Sequence, residues 1–334
     1  MTHRIYGTIR DIKHGGSPLK GLKIKAWDED PLVGDDFMGD DITDQNGKYQ
    51  IRYSDIFWDK KIPGLSTYLP DIYISVEIRN KSGKWVRLGK SQVFHNHDLR
   101  QDLRIDFNVS IEPVIKVMTK FDPEIHAFKF QNGFIFNPPD IGLDFKEMGM
   151  GFCGGMCGAA LERFRRGEMI TTSSDTPEQG TRLYEELFKR QIKSLSPVVL
   201  ARMFNFQAAP NQLDAFRKDS IGELARKEWP KLKTEMDKNR PAILVLIRAK
   251  KLFDNPTKNH QVLAVGYEYD PTRSDLTIFE YDPNERNKIL TLEMNLALPD
   301  GKLYFKDEVN RSTRGFFVSD AGGTASRKMR LSAG

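Results

Sequence analysis

Cysteine is scarce in this 334-residue chain: there are two, beside six histidines. So few cysteines exclude a disulfide framework and the paired-Cys motifs of structural zinc sites. No apolar run approaches the roughly 20 residues that a membrane-spanning helix needs. The most apolar stretch, Ala242-Ile-Leu-Val-Leu-Ile247, reads as a buried strand. Net charge is also small: 51 Lys+Arg against 46 Asp+Glu leave +5. An excess so slight, spread over so many charges, excludes a nucleic-acid-binding face. The N-terminus lacks the charged-then-apolar form of a signal peptide, and two unpaired cysteines suit a reducing compartment. Synthesis in the cytoplasm is expected, with signal-free export left open. The rest is ordinary globular material, 39% hydrophobic and 29% charged, and long enough for two cores.

One cysteine stands in a telling place. Gly151-Phe152-Cys153-Gly154-Gly155-Met156-Cys157 leads into a helical pattern in which Met156, Ala160 and Phe164 recur on one face. Gly167 is the expected stop. Cys153 therefore falls at the helix start, where backbone N–H groups lack intrahelical partners and a thiol is acidified. Gly154 and Gly155 would let a substrate backbone approach closely. Cys157, one turn inside, reads as a buried small hydrophobe. Downstream, Asn259-His260-Gln261-Val262-Leu263-Ala264-Val265-Gly266-Tyr267 reads as a strand opening on a histidine. Leu276 to Tyr281 reads as the next strand, ending at Asp282-Pro283-Asn284. If the two form a hairpin, the start of one lies beside the end of the other, and His260 meets Asp282. A nucleophile, a base and an orienting carboxylate are what thiol catalysis needs. Asn284 is the reserve orienter. Two blander readings compete: His260 as a structural histidine, and Asp282 as a turn residue before proline. A zinc site of Cys153, Cys157 and His260 is disfavoured by its spacing, and a Cys153–Cys157 disulfide by its geometry.

The Phe-Cys-Gly-Gly-Met segment, with His-Gln-Val-Leu-Ala-x-Gly-Tyr and Tyr-Asp-Pro-Asn downstream, resembles papain-like cysteine peptidases, most closely bacteriocin-processing branches. The resemblance covers roughly residues 120–320. It implies Cys153 as nucleophile, His260 as general base and then acid, Asp282 as orienter, and a peptide or protein substrate. That family usually carries an oxyanion-hole Gln shortly before the Cys, and none lies there. Gln131 and Asn137 are taken as the nearest upstream amides, and Asn137 is favoured. A donor in that role is commonly worth about a hundredfold in rate.

The N-terminal third has another pattern. Tyr6–Arg10, Leu22–Trp27, Lys48–Tyr53, Ile72–Ile78 and Ile105–Val109 alternate apolar and polar residues between Gly, Asp, Asn and Pro. This predicts an antiparallel β-sandwich. The order strand, Trp-Asp-Glu-Asp, Asp-Asp, Gly, Thr-Asp-x-Asn-Gly is similar to transthyretin-like domains, and that resemblance implies a binding or positioning role. Acidic residues crowd the interval from Asp28 to Asp44 with no Lys or Arg among them. Asp28, Asp30, Asp35 and Asp36 are weak calcium candidates, against a plain reading as a solvated acidic edge.

The expected fold class is thus multidomain. An all-β transthyretin-like sandwich (1–112) and a linker (113–125) precede an α+β papain-like domain (126–320) and a flexible tail (321–334). The α+β domain reads as helices near 177–194, 197–205 and 210–238, then strands at 242–248, 260–269, 276–281, 289–294 and 303–306. The leading functional expectation is a cysteine peptidase or related acyl hydrolase or transferase that needs no cofactor. The contrasting one is a degenerate papain-like module that binds a peptide or protein partner.

Overall fold

Alternation of apolar residues at every second position dominates the first hundred residues and buries one face of each strand. In the computed structural model, Ile5 and Ile9, Ile24 and Ala26, Tyr49, Ile51 and Tyr53, and Ile74, Val76 and Ile78 are all buried in one core. The structure describes residues 2–30, 34–54, 69–98, 101–134, 151–170, 173–211, 219–252, 254–285, 287–297, 305–307 and 313–320. The chain divides into two compact units, one of Met1–Val114 with Asp270–Asp275, the other of Ile115–Tyr269 with Leu276–Gly334.

Among the described residues the first unit is all β. Its strands are β1 (Thr2–Asp11), β2 (Ser17–Pro18), β3 (Lys23–Asp28), β4 (Asp36–Ile42), β5 (Lys48–Ser54), β6 (Ile72–Arg79), β7 (Trp85–Lys90), β8 (Leu103–Arg104) and β9 (Phe107–Val109). One sheet runs β2-β1-β5, with β8 and β9 pairing β1 in parallel; the other runs β4-β3-β6-β7. The hydrophobic cluster between them draws on both sheets, so each supplies half of the core. The turn before β5 needs a left-handed residue, and Gly47 at φ 71° supplies it, its N–H donating to the Asp44 carbonyl. Strands β4 and β7 escaped the sequence reading. β4 lies in the acidic stretch, where charge masks the alternation. It is an edge strand whose Asp40 stands opposite Lys25 and pairs with Lys23, as charged edges commonly do.

The second unit holds β10 (Ile115–Met118), α1 (Pro123–His126), α2 (Cys153–Arg166), α3 (Arg182–Ser194), α4 (Pro197–Ala208), α5 (Ile221–Asp237), β11 (Ala242–Ile247), β12 (His260–Asp270), β13 (Asp275–Tyr281), β14 (Leu290–Asn295), β15 (Phe305–Asp307) and β16 (Gly315–Val318). Its sheet has seven strands in the order β15-β14-β13-β12-β11-β16, with β10 also pairing β12. Helices cover both faces. Ile243, Leu263 and Val265 share a core with α2 and α3, whereas Leu244, Leu246, Val262 and Ala264 share one with α5. Two covered faces explain why β11 is apolar at every position instead of alternating. Residues 113–125, expected as a linker, instead carry β10 and α1, because Val117 and its neighbours find hydrogen-bond partners along β12. α3 starts later than expected because Thr181 caps it, accepting the Tyr184 N–H; α5 starts at Ile221 because Ser220 caps it, accepting from Glu223. The sequence reading also missed β16. Residues 321–334, read as a tail, lie outside the described residues.

Candidate functional site

Cys153 is the first residue of α2. The helix is held by its buried face, where Met156, Cys157, Ala159, Ala160 and Leu161 are essentially sealed from water. Gly167 ends it in a left-handed C-cap, and its last turn carries Arg163, Arg165 and Arg166, which suit the negative pole of the helix. Phe152, the N-cap, has no capping side chain of its own. The free N–H groups of the first turn are satisfied from outside: Gly155 N–H donates to Gln191 Oε1 at 2.9 Å, and Phe152 N–H donates to Asn132 Oδ1 at 2.7 Å.

β12 and β13 are sheet neighbours joined by residues 271–274, so the start of one lies beside the end of the other. His260 opens β12, Asp282 follows β13, and His260 Nε2 lies 2.7 Å from Asp282 Oδ1. Asn284 N–H donates to the same carboxylate oxygen at 2.8 Å. Cys153 lies beside His260, and the two interact. Because Asp282 occupies Nε2, the ring nitrogen facing sulfur is Nδ1. The three side chains thus form one chain of contacts, with 9%, 5% and 1% of their surfaces exposed for Cys153, His260 and Asp282.

Charge in this buried chain favours the ion pair. Burial alone would raise the Cys153 thiol, but the interaction with His260, helped by the Gln261 N–H, outweighs it and holds the thiol below its ordinary value. Burial opposes a charged imidazole too, yet Asp282 and Cys153 together push His260 up to about 9. Each group thus shifts the other towards its charged form. Cys157 differs: burial pushes its thiol well up, and its sulfur faces the Gln261 carbonyl at 3.6 Å. Both cysteines are free.

Several expectations about the surroundings change. The glycines beside Cys153 do not open a path for substrate. A Cβ on Gly154 would sit 2.3 Å from Ser194 Oγ and 2.7 Å from the Gln261 amide; one on Gly155 would sit 2.3 Å from the Leu187 carbonyl. They allow α2 to pack tightly on α3 and β12. Gln131 is exposed and stands outside the hydrogen-bonded cluster. Asn137 lies outside the described residues. The upstream amide that does reach the site is Asn132, which lies between those two and was passed over. Its backbone N–H donates to the Pro283 carbonyl at 2.9 Å, and its side chain donates to Asn284 Oδ1 at 3.0 Å. Nothing in local spacing marks Asn132, since its partners are distant in sequence.

The metal readings also change. Among the described residues no group of three or more His, Cys, Asp and Glu side chains is placed to hold a metal ion. Cys157 faces the Gln261 carbonyl, and the zinc set of Cys153, Cys157 and His260 is not among such groups. The calcium candidates are engaged individually: Asp28 accepts the Asp71 N–H at 2.7 Å, while Asp35 takes the Tyr73 hydroxyl at 2.5 Å and the Asp30 N–H at 3.3 Å. No helix among the described residues is long and apolar enough to cross a membrane.

The chain was then compared with known proteins. No family model matches it, and no curated protein matches it. Among solved structures it is similar to a 9R-lipoxygenase from Cyanothece PCC8801, at 14% identity and TM-score 0.22, over 95% of this chain and 42% of that one. It is also similar to the dioxygenase domain of a dioxygenase carbohydrate-binding protein fusion from Streptomyces sp. SirexAA-E, at 12% identity and TM-score 0.21, over 33% of this chain and 80% of that one. The chain therefore spans less than half the length of the lipoxygenase. These findings correct the sequence-based family assignments. With no family model and no curated protein behind them, the papain-like and transthyretin-like memberships are withdrawn. So are the peptidase function and the degenerate papain-like binding module drawn from them. Short motifs, each weak alone, do not carry a family. The neighbours do not supply a replacement, since likeness at these TM-scores carries no argument about this chain. What the fold and site define is a β-rich protein of two units, with a buried Cys–His–Asp cluster in the second.

Proposed function

We propose that this protein is a thiolate-nucleophile enzyme that transfers an acyl group through a thioester on Cys153. The observation that supports this reading is the run of interacting side chains from Cys153 through His260 to Asp282. The sulfur attacks an acyl carbon, and the carbonyl electrons move onto oxygen. Collapse expels the leaving group, which takes the proton from His260 Nδ1. Asp282 keeps the ring oriented and stabilises the imidazolium until that transfer. An acceptor deprotonated by the then neutral His260 attacks the thioester and restores the thiolate.

The test uses p-nitrophenyl acetate as an activated acyl donor. The full chain should release a burst of p-nitrophenolate and carry one acetyl group on Cys153, identified by mass spectrometry. Cys153→Ser should abolish both and Cys157→Ser should leave both. An intact, folded protein that shows no acetyl adduct at Cys153 refutes the reading.

A further inference from the structure

The amide of Asn284 faces His260, and its orientation is set from far away. A backbone N–H can only donate, so the bond from Phe152 N–H at 2.7 Å identifies the recipient as Asn132 Oδ1. The other end of that amide, Nδ2, is then the atom 3.0 Å from Asn284, which must present its Oδ1 there. Asn284 is left with its own Nδ2 towards His260 Nε2, at 3.4 Å. Each amide direction follows from the one before it, beginning at the residue that precedes the nucleophile.

That direction has a chemical consequence. Nε2 carries a proton and donates to Asp282 Oδ1 in both charge states of the ring, because the proton gained and lost is the one on Nδ1. The amide N–H of Asn284 points its positive end at that N–H, and the repulsion grows when the ring becomes charged. The opposite orientation would place an acceptor there and favour the charged ring. We infer that Asn132 is a positioning residue: by fixing which end of the Asn284 amide faces His260, it limits how firmly the imidazole keeps its proton. The inference rests on the reading of Cys153 as the nucleophile. A moderated imidazolium gives up its proton more readily to a leaving group, which is what a general acid must do. The titratable groups facing His260 among the described residues are Cys153 from α2 and Asp282 beyond β13. Cys157 interacts with both of them, and Glu280 with Cys157.

The experiment is alkylation of the full chain by iodoacetamide across the acidic to mildly alkaline range, followed at Cys153 by mass spectrometry. In Asn132→Ala the Asn284 amide is free to turn its oxygen to the ring. The alkylation midpoint should then fall by about half to one pH unit, the scale of one hydrogen bond to a charged group. Asn284→Ala removes the opposing donor and should also lower the midpoint. Adding Asn132→Ala to Asn284→Ala should shift it no further, because the two act as one unit. An unchanged or raised midpoint in folded Asn132→Ala overturns the inference, as does a full further shift in the Asn284→Ala background. Should Asn132→Ala not fold, Asn284→Ala decides: a lowered midpoint supports the inference and an unchanged one overturns it. Alkylation needs no acyl substrate, so a missing acetyl adduct refutes the acyl-transfer reading alone, and unchanged midpoints refute this inference alone.

Discussion

Two glycines on α2 should respond in opposite directions to the same substitution. A Cβ at Gly154 would meet Ser194 Oγ at 2.3 Å and both amide atoms of Gln261 at 2.7 Å, whereas at Gly158 nothing lies within 4 Å. Neither position has a positive φ. In Gly154→Ala the added methyl must displace Ser194, which donates to the Gln191 carbonyl and accepts from Gln261 Nε2. Overpacking of this kind costs about 1–3 kcal/mol. The helix-propensity gain of alanine over glycine offsets at most about 1 kcal/mol, and less at the second residue of a helix than in its interior. The net loss is about 1–2 kcal/mol. In Gly158→Ala only the gain remains, about 0.5–1 kcal/mol. Cys157 is a built-in reporter, fully buried on the same helix, so its slow labelling by a thiol reagent measures how often α2 opens. Because about 1.4 kcal/mol is tenfold in an equilibrium, Gly154→Ala should speed Cys157 labelling about tenfold, and Gly158→Ala should slow it about two- to fivefold. Site-resolved mass spectrometry separates Cys157 from Cys153. Equal labelling in both variants would refute the packing argument and restore the reading of Gly154 as an opening for substrate.

Four further outcomes are expected. His260→Ala should move the Cys153 alkylation midpoint to higher pH, since the imidazole is what outweighs burial there; an unmoved midpoint would show that another group holds the thiol down. His260, raised to about 9, contributes stability that is full below its ordinary value near 6.5 and is lost as pH rises through about 9. Asp282→Asn should flatten that loss in a melting profile taken against pH, and an unchanged slope would contradict the role of the carboxylate. Asp28 is raised to about 6 by burial and by the neighbouring Asp71, Asp30 and Asp36. Its stabilising contribution, full below 3.8, is lost as pH rises through about 6. Asp28→Asn can still accept the Asp71 N–H and should raise Tm above that pH; a lowered Tm there would show a role for the negative charge. Residues 1–112, proposed as an independent unit, should give a cooperative melt and a β-type circular dichroism spectrum when expressed alone, and a fragment without a cooperative transition would refute that boundary.

Legibility followed locality. Strands β1, β3, β5 and β6 were readable because alternation is written within a few residues of each strand. β4 was not, since its acids hide the pattern until Asp40 is seen opposite Lys25 and paired with Lys23 on the neighbouring strand. β11 was readable from its unbroken apolar run, but the helices that cover its two faces were not. The candidate site divides in the same way. Cys153 at a helix start, His260 at a strand start and Asp282 at a strand end could be picked out by residue type, scarcity and order. The family drawn from those motifs did not hold, because fold families are carried by whole-chain likeness and not by a few short strings.

The sequence by itself determined many of the strands and the longer helices, and which side chains have the chemistry for a nucleophile, a base and an orienting acid. Those choices depend on neighbours a few positions away, through hydrophobic periodicity, capping and turn residues. Only the tertiary structure decided that Gly154 and Gly155 serve close packing, that Cys157 turns to the Gln261 carbonyl, and that Asn132 joins Phe152 to Asn284. Those outcomes depend on distances of a few ångströms between residues far apart in the chain. Such distances come from the packing of whole elements against one another, a property that no local stretch of sequence carries.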